Sequence, residues 1–226
     1  MSGIPAQAGE VVTSWVMPRI AVPVAERPVG PNVLGTVALP IRAQPSGTRW
    51  SKLMRASADD WLHRFTADYR DLPQYDQARF VQSAVNHAVR TTSDTFNCSD
   101  DGYWAPASET LNRGKGDCFD IAIAKMEALR LLGFSSRDLY LTTGRFRIGP
   151  DGNATRESVA LLVRIDEQFW LLPEQGDEIV ELGIESGDFD QFAPVITHGV
   201  GMSWIHGRPV KPVEPSLQLA RQLPAG

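Results

Sequence analysis

Apolar residues recur at helical spacing through the first half of the chain. In residues 51–68 they are Leu53, Met54, Trp61, Leu62 and Phe65. In residues 75–89 they are Phe80, Val81, Ala84, Val85, Ala88 and Val89. Because positions three and four apart share one face of a helix, both segments are predicted to be amphipathic helices.

Two further helices are predicted around a glycine-rich stretch. Pro106 opens a short helix that is predicted to end near Gly114. A longer helix is predicted to begin near Asp117 and to end at Gly133, since glycine is common just past a helix terminus.

The second half of the chain has the pattern of β-strands. Residues 139–148 are predicted to form a strand, and residues 149–152 (Gly-Pro-Asp-Gly) a turn. Shorter strands are predicted at 158–165, 169–172, 179–182, 192–197 and 203–206. Helices followed by a meander of strands predict an α+β fold with a largely antiparallel sheet.

The two ends of the chain differ from this middle part because prolines interrupt them. We predict an irregular N-terminal segment over 1–33, one domain over 34–208 and an extended tail over 209–226. The start lacks a basic region followed by an apolar one, so an intact signal peptide is not expected there.

Composition excludes several classes of protein. The 226 residues include 22 Lys and Arg against 27 Asp and Glu, which gives a net charge of −5. A nucleic-acid partner is not expected, since binding to phosphates requires a basic surface. No run of about 18 apolar residues is present, so no transmembrane helix is expected.

The chain has two cysteines, Cys98 and Cys118. Two are too few for a disulfide scaffold, and neither has the spacing of a zinc site. Three alternatives remain at this point: one disulfide, two unrelated thiols, or one nucleophile.

Cys118 follows Gly114-Lys115-Gly116-Asp117 and opens the predicted helix. Unpaired N–H groups and the helix dipole favour an anion in the first turn, and this position can lower the pKa of a thiol. A buried thiol with no chemical role fits the same position, because a nucleophile also needs a base.

Several motifs resemble the bacterial transglutaminase-like cysteine peptidases. The strongest are the run 101–107 (Asp-Gly-Tyr-Trp-Ala-Pro-Ala) and the run 113–120 (Arg-Gly-Lys-Gly-Asp-Cys-Phe-Asp) followed by Ala124-Lys125. Weaker matches extend the resemblance over roughly residues 34–208. It implies a papain/transglutaminase-like fold, with N-terminal helices and the Cys-bearing helix packed on an antiparallel sheet.

The resemblance also implies a catalytic triad whose partners are altered here. In that family a His at the start of a strand activates the thiol, and an acid at the end of the next strand orients the His. Ser158 stands at the His place and Pro173 at the acid place. A serine hydroxyl is not a base near neutral pH and proline has no side-chain acceptor, so Cys118 is expected to lack both partners.

Other residues could replace the missing base. His63 and His87 are expected to have surface or packing roles on the early helices, and His206 a structural role in the last strand. His198 has no recognised counterpart in the family and is the candidate for a relocated base.

Two acids lie next to the altered positions. Glu174 follows Pro173 and Glu157 precedes Ser158. Because side chains alternate along a strand, both are predicted to point to the opposite face.

Some members of the family bind calcium through acids that flank the Cys. Asp117 matches the first acid, but Phe119 stands in place of the second. Calcium needs six to eight oxygen ligands, so no metal or other cofactor is expected. Cys98 is interpreted as incidental, with a Cys98–Cys118 disulfide that would cap the nucleophile as the alternative.

Two hypotheses follow. In the first, the chain is a catalytically inactive or impaired homologue that binds a peptide or protein. In the second, it is an active thiol peptidase or acyltransferase that uses a relocated base such as His198. The resemblance suggests a periplasmic location.

Overall fold

The computed structural model describes residues 19–20, 30–41, 47–55, 60–92, 103–148, 154–182 and 192–209. Most of the predicted segment 1–33 and nearly all of the predicted tail 209–226 lie outside these ranges. Both boundaries therefore stay predictions.

The described residues contain five α-helices and one short 3-10 helix. The helices are α1 (Gly47–Arg55), α2 (Asp60–Ala67), α3 (Gln74–Ala88), α4 (Ala107–Arg113) and α5 (Cys118–Leu131), with the 3-10 helix at Ser136–Asp138. The single helix predicted over 51–68 is instead two helices, α1 and α2, and residues 56–59 between them lie outside the described ranges. The other predicted helices are confirmed to within a few residues.

Helix α5 begins where its sequence predicts, because Asp117 caps it. Asp117 Oδ1 accepts from the backbone N–H of Asp120 at 2.9 Å, and Asp120 Oδ2 accepts in return from the N–H of Asp117 at 3.3 Å. This reciprocal pair satisfies two donors that a helix start otherwise leaves unpaired. Twelve of the fourteen residues of α5 are buried, so this helix is the centre of the core.

The described strands form a main sheet of eight strands and a separate pair of short strands. They are β1 (Arg19–Ile20), β2 (Val37–Ile41), β3 (Arg90–Thr91), β4 (Lys115–Gly116), β5 (Leu139–Ile148), β6 (Ala154–Ile165), β7 (Gln168–Leu172), β8 (Val180–Leu182), β9 (Phe192–Gly199) and β10 (Met202–Pro209). Within the described residues, eight strands pair in the order β1-β10-β9-β5-β6-β7-β8, with β2 also on β10. All neighbours are antiparallel except β1 and β10, and β3 pairs separately with β4. The α+β prediction is therefore confirmed.

Apolar side chains cover both faces of this sheet. On one face Leu161 and Val163 of β6 pack with α5 in the main core. On the other face Ala160 and Leu162 pack with Val33. This alternation along β6 follows from the two-residue repeat of a strand.

His206 ties the segment before β2 to the sheet, in the structural role that the sequence predicts. Its Nδ1 lies 2.8 Å from Thr36 Oγ1 and its Nε2 lies 2.8 Å from Thr197 Oγ1. Thr197 in turn contacts Thr142 Oγ1 at 2.8 Å. Burial lowers the pKa of His206 to about 4, so the imidazole is neutral at physiological pH.

Candidate active site

Cys118 is the first residue of α5 and is fully buried. The backbone before it is held by β3 and the residue after it, since Arg90 N donates to Gly114 O at 3.0 Å and Thr92 N donates to Gly116 O at 2.8 Å. A Cβ on Gly116 would lie 2.8 Å from Asp120 Cβ, so only glycine fits this approach. These contacts hold the sulfur at the helix start that the sequence predicts.

The sulfur of Cys118 is disulfide-bonded. Of the three alternatives that the sequence leaves open, the structure therefore shows a disulfide for this residue. The only other cysteine of the chain is Cys98, which lies outside the described residues. The interpretation of Cys98 as incidental is therefore not tested by the structure. In this state Cys118 carries no thiolate, which is the nucleophilic form of cysteine.

Ser158, which is predicted to stand at the family's base position, forms a buried pair with Glu174. Ser158 Oγ donates to Glu174 Oε2 at 2.6 Å. Thr91 Oγ1 donates to the other carboxylate oxygen at 2.6 Å, and Arg156 Nη2 lies 3.0 Å from Oε2. The Glu174 side chain is 1% exposed, so these groups replace water around its charge.

The prediction that Glu174 faces away from Ser158 is wrong. It assumed that strand alternation continues past Pro173, but β7 ends at Leu172 and Glu174 lies in the turn that follows. A turn is not bound by the two-residue repeat, so the carboxylate reaches Ser158. Glu157, by contrast, lies on the surface and contacts Arg145 at 3.6 Å.

The backbone carbonyl of Pro173 accepts hydrogen bonds from two buried side chains. Lys125 Nζ donates to Pro173 O at 2.5 Å, and Gln82 Nε2 donates to the same oxygen at 3.1 Å. Gln82 also donates to Gly176 O at 2.7 Å. The turn 173–176 is thus fastened by side chains from α3, α5, β3 and β6.

Lys125 and Gln82 are functional candidates that the sequence reasoning missed. Both are fully buried, although lysine and glutamine are usually exposed. Burial lowers the pKa of Lys125 to about 7, and the charge of Glu174 opposes this shift. A signal was present, because each polar residue stands on the apolar face of its helix, as Lys125 does between Ala122 and Leu129.

His198 lies on β9, paired in register with Leu141 on the face that packs against α5. Its Nδ1 is 2.9 Å from Ser203 Oγ, and its ring meets the edge of Trp104 with the centroids 6.1 Å apart. Trp104 also stacks on Phe119 at 5.1 Å. The indole therefore contacts both His198 and the residue that follows Cys118.

The residues at the expected calcium position do not fit a metal. Phe119 is 1% exposed and its ring offers no oxygen ligand, while Asp117 Oδ1 is engaged in capping α5. The guanidinium of Arg49 lies 5.3 Å from the Trp104 ring centroid, which adds positive charge beside this stack. Among the residues that the structure describes, no group of three or more His, Cys, Asp or Glu could hold a metal ion.

His63 lies exposed on α2, and His87 lies exposed on α3 with its Nδ1 3.4 Å from Asp177. Both are surface residues, as predicted. In the described ranges, no helix is long and apolar enough to cross a membrane.

The chain is similar to known proteins in part of its sequence and in its fold. The family model described as the transglutaminase-like superfamily matches residues 63–165, which include Cys118 and Ser158. Comparison with curated protein sequences gives no match.

Solved structures of LapG from Legionella pneumophila share the fold. The calcium-bound form is 19% identical, with a TM-score of 0.53, and the match covers 75% of this chain and 92% of that chain. A second LapG structure is 21% identical, with a TM-score of 0.51, and the match covers 74% and 90% of the two chains. At this level of identity the likeness concerns the fold.

Proposed function

We propose that the chain, which matches a transglutaminase-like family model over residues 63–165 and shares the LapG fold, is a non-catalytic homologue of the cysteine peptidases that binds a peptide or protein. The proposed binding region is the surface next to the start of α5, near the buried residues Cys118 and Trp104. In this proposal the protein binds the peptide or protein without cleaving it.

The observation that carries the proposal is the hydrogen bond from Ser158 to Glu174. Thiol catalysis needs a group that accepts a proton from the sulfur and returns it to the leaving group. At position 158 the hydroxyl already donates its proton to a carboxylate at 2.6 Å. A hydroxyl is also far too weak a base near neutral pH to hold a thiolate.

The state of Cys118 supports the same conclusion. A sulfur in a disulfide cannot attack a carbonyl, and it is fully buried here. Disulfides persist mainly in oxidising compartments, so we also propose that this bacterial-type domain works in the periplasm.

We propose further that binding does not depend on calcium. One of the similar LapG structures is calcium-bound. In this chain the Phe119 ring packs against Trp104 where an acid would be needed, and Asp117 caps the helix. Any peptide contact would therefore involve aromatic and main-chain groups in place of an ion.

A second candidate function is an active thiol peptidase or acyltransferase under reducing conditions. It is favoured by the contact of Trp104 with both His198 and Phe119, because this brings an imidazole to the neighbourhood of Cys118. His198 would then serve as the base after the disulfide is reduced.

One experiment separates the two candidates. The protein is incubated with a peptide library, with and without dithiothreitol, and cleavage is read by mass spectrometry. We expect no cleavage in either condition and equal peptide binding by the wild type and Cys118→Ala. Cleavage that both Cys118→Ala and His198→Ala abolish, but the exposed-site control His63→Ala leaves intact, would establish the enzyme instead.

A further inference from the structure

A buried lysine lies against the turn that carries the altered acid position. Lys125 is fully buried on α5, and its described hydrogen-bond acceptor is Pro173 O at 2.5 Å. Gln82 Nε2 shares that oxygen at 3.1 Å and also binds Gly176 O. The lysine is thus one of the groups that hold the turn 173–176 in place.

The charges around Lys125 are already balanced without its own. Glu174 supplies the one negative charge that acts on it, and Arg156 pairs with that carboxylate at 3.0 Å. The remaining hydrogen bonds to Glu174 come from Thr91 and Ser158, which are uncharged. A protonated Lys125 therefore adds an unmatched positive charge to a buried cluster.

Among the residues that the structure describes, the other elements packed against Lys125 bring no further charge to it. Helix α3 contributes Gln82 and, at Gly176 O, Asn86. The acids on α5 itself point toward the segment around α4, where Asp120 accepts from Ala105 N and Glu127 from Ala107 N. Within the described residues, Glu174 is the carboxylate to which the ammonium can turn.

Protonation and deprotonation of Lys125 both occur near neutral pH. Burial lowers its pKa to about 7, although Glu174 opposes the shift. The neutral amine can still donate to Pro173 O. The ammonium has two further protons that need acceptors, and leaving such donors unpaired in the interior is costly.

We propose that the protonation state of Lys125 controls the conformation of the turn 173–176. When the amine is neutral, Glu174 stays bound to Ser158 and Thr91 and the turn is closed. When a proton from solvent converts it to the ammonium, the Glu174 carboxylate moves toward Lys125, leaves the two hydroxyls and loosens the turn. The altered acid position thereby responds to pH.

The carboxamide of Gln82 reports on this turn, because its protons can exchange with solvent only when the contacts to Pro173 and Gly176 open. Exchange is measured by NMR at pH 5.5 and 8 and divided by the intrinsic rate at each pH. We expect Gln82 protection to be at least about tenfold lower at pH 5.5, the factor that corresponds to one pKa unit. In Lys125→Met the two values should agree.

Two controls keep the result specific. The buried carboxamide of Gln77 binds Tyr69 O and Arg70 O, far from the turn in sequence, and its protection should not change with pH. Lys52→Met, at an exposed lysine on α1, should behave as the wild type.

Two results would overturn the proposal. One is exchange protection of the Gln82 carboxamide that does not change with pH in the wild type. The other is a pH dependence of this protection in Lys125→Met that equals the wild-type dependence. If that variant does not fold, the wild-type protein with ¹³C-labelled lysine decides the matter. One lysine resonance should titrate near pH 7; titration of every lysine above about pH 10, the ordinary range, would also overturn it.

Discussion

Ser158 Oγ lies 2.6 Å from Glu174 Oε2, so the residue predicted to stand at the family's base position faces a buried carboxylate that directly follows Pro173, the residue predicted at the acid position. The carboxylate is held from two other sides by Thr91 and Arg156. A carboxylate therefore lies beside Ser158 although Pro173 stands at the predicted acid position. What the pair lacks is an imidazole.

This geometry predicts the outcome of Ser158→His. The new imidazole would face Glu174, whose negative charge favours the protonated ring. We expect the pKa of that His, measured by NMR, to be at least about one unit higher in Ser158→His than in Ser158→His with Glu174→Gln. We expect this higher pKa without any substitution of Pro173.

The double variant is the control, because the amide keeps the size of Glu174 and removes its charge. Equal pKa values in the two proteins would show that position 158 does not face the carboxylate.

The elements with strong local signals were predictable from sequence. Helix α5 has a capping aspartate at Asp117 and a glycine at Gly133 beyond its end, and the structure places it at Cys118–Leu131. Strands 139–148 and 169–172 were also predicted close to their observed ends. These signals lie within the segment itself, so no knowledge of the partner is needed.

Features that depend on distant partners were not predictable. The two-residue strands β3 and β4 exist because Thr91 pairs with Gly116, 25 positions along the chain. The direction of Glu174 depended on where β7 ends, and strand alternation gave the wrong answer there. The apolar helix face around Lys125 indicates burial, but its acceptor, Pro173 O, lies 48 positions along the chain and is visible only in three dimensions.

The disulfide at Cys118 predicts that the protein has no reactive thiol as purified without reductant. Iodoacetamide should label neither cysteine in the native or the denatured chain, and both after reduction. Cys98 is the expected partner, because the sequence has no other cysteine. A non-reduced peptide map would then contain one cross-linked pair.

The loop closed by such a bond has about 20 residues, and a loop of that length stabilises a protein by about 3 kcal/mol. Reduction, or Cys118→Ala, should therefore lower the free energy of unfolding by roughly that amount in urea titrations. Labelling of Cys118 in the unreduced, denatured chain would contradict the disulfide.

Substitution of Phe119 by an acid tests whether this one change is enough to create a calcium site. Phe119→Glu would bury a carboxylate in the stack with Trp104, which is costly without a paired charge. We expect a lower Tm that millimolar calcium does not raise. Phe119→Leu, which keeps an apolar side chain, should cost less, about 1–2 kcal/mol.

A calcium-dependent rise in Tm for Phe119→Glu, with none for the wild type or Phe119→Leu, would show that the site lacks only this acid. That result would remove the support for calcium-independent binding.

We expect the protein to lose stability in mild acid because His206 is buried in its neutral form. Thr36 Oγ1 donates to Val33 O, so His206 Nδ1 must donate to Thr36, and Nε2 accepts from Thr197. Protonation of Nε2 would reverse this last bond. Burial lowers the pKa of His206 from 6.5 to about 4, so its stabilising contribution is fully present above pH 6.5 and is lost as pH falls to about 4. The shift corresponds to about 3 kcal/mol at most.

Urea unfolding at pH 7.5, 5.5 and 4.5 measures this dependence. His206→Gln should be less stable than the wild type at pH 7.5, because glutamine does not bridge the two threonines in the same geometry, and the difference should shrink toward pH 4.5. His63→Gln, at an exposed site, should follow the wild type throughout. A difference between His206→Gln and the wild type that stays constant over the three pH values would mean that protonation of His206 does not govern the acid sensitivity of the fold.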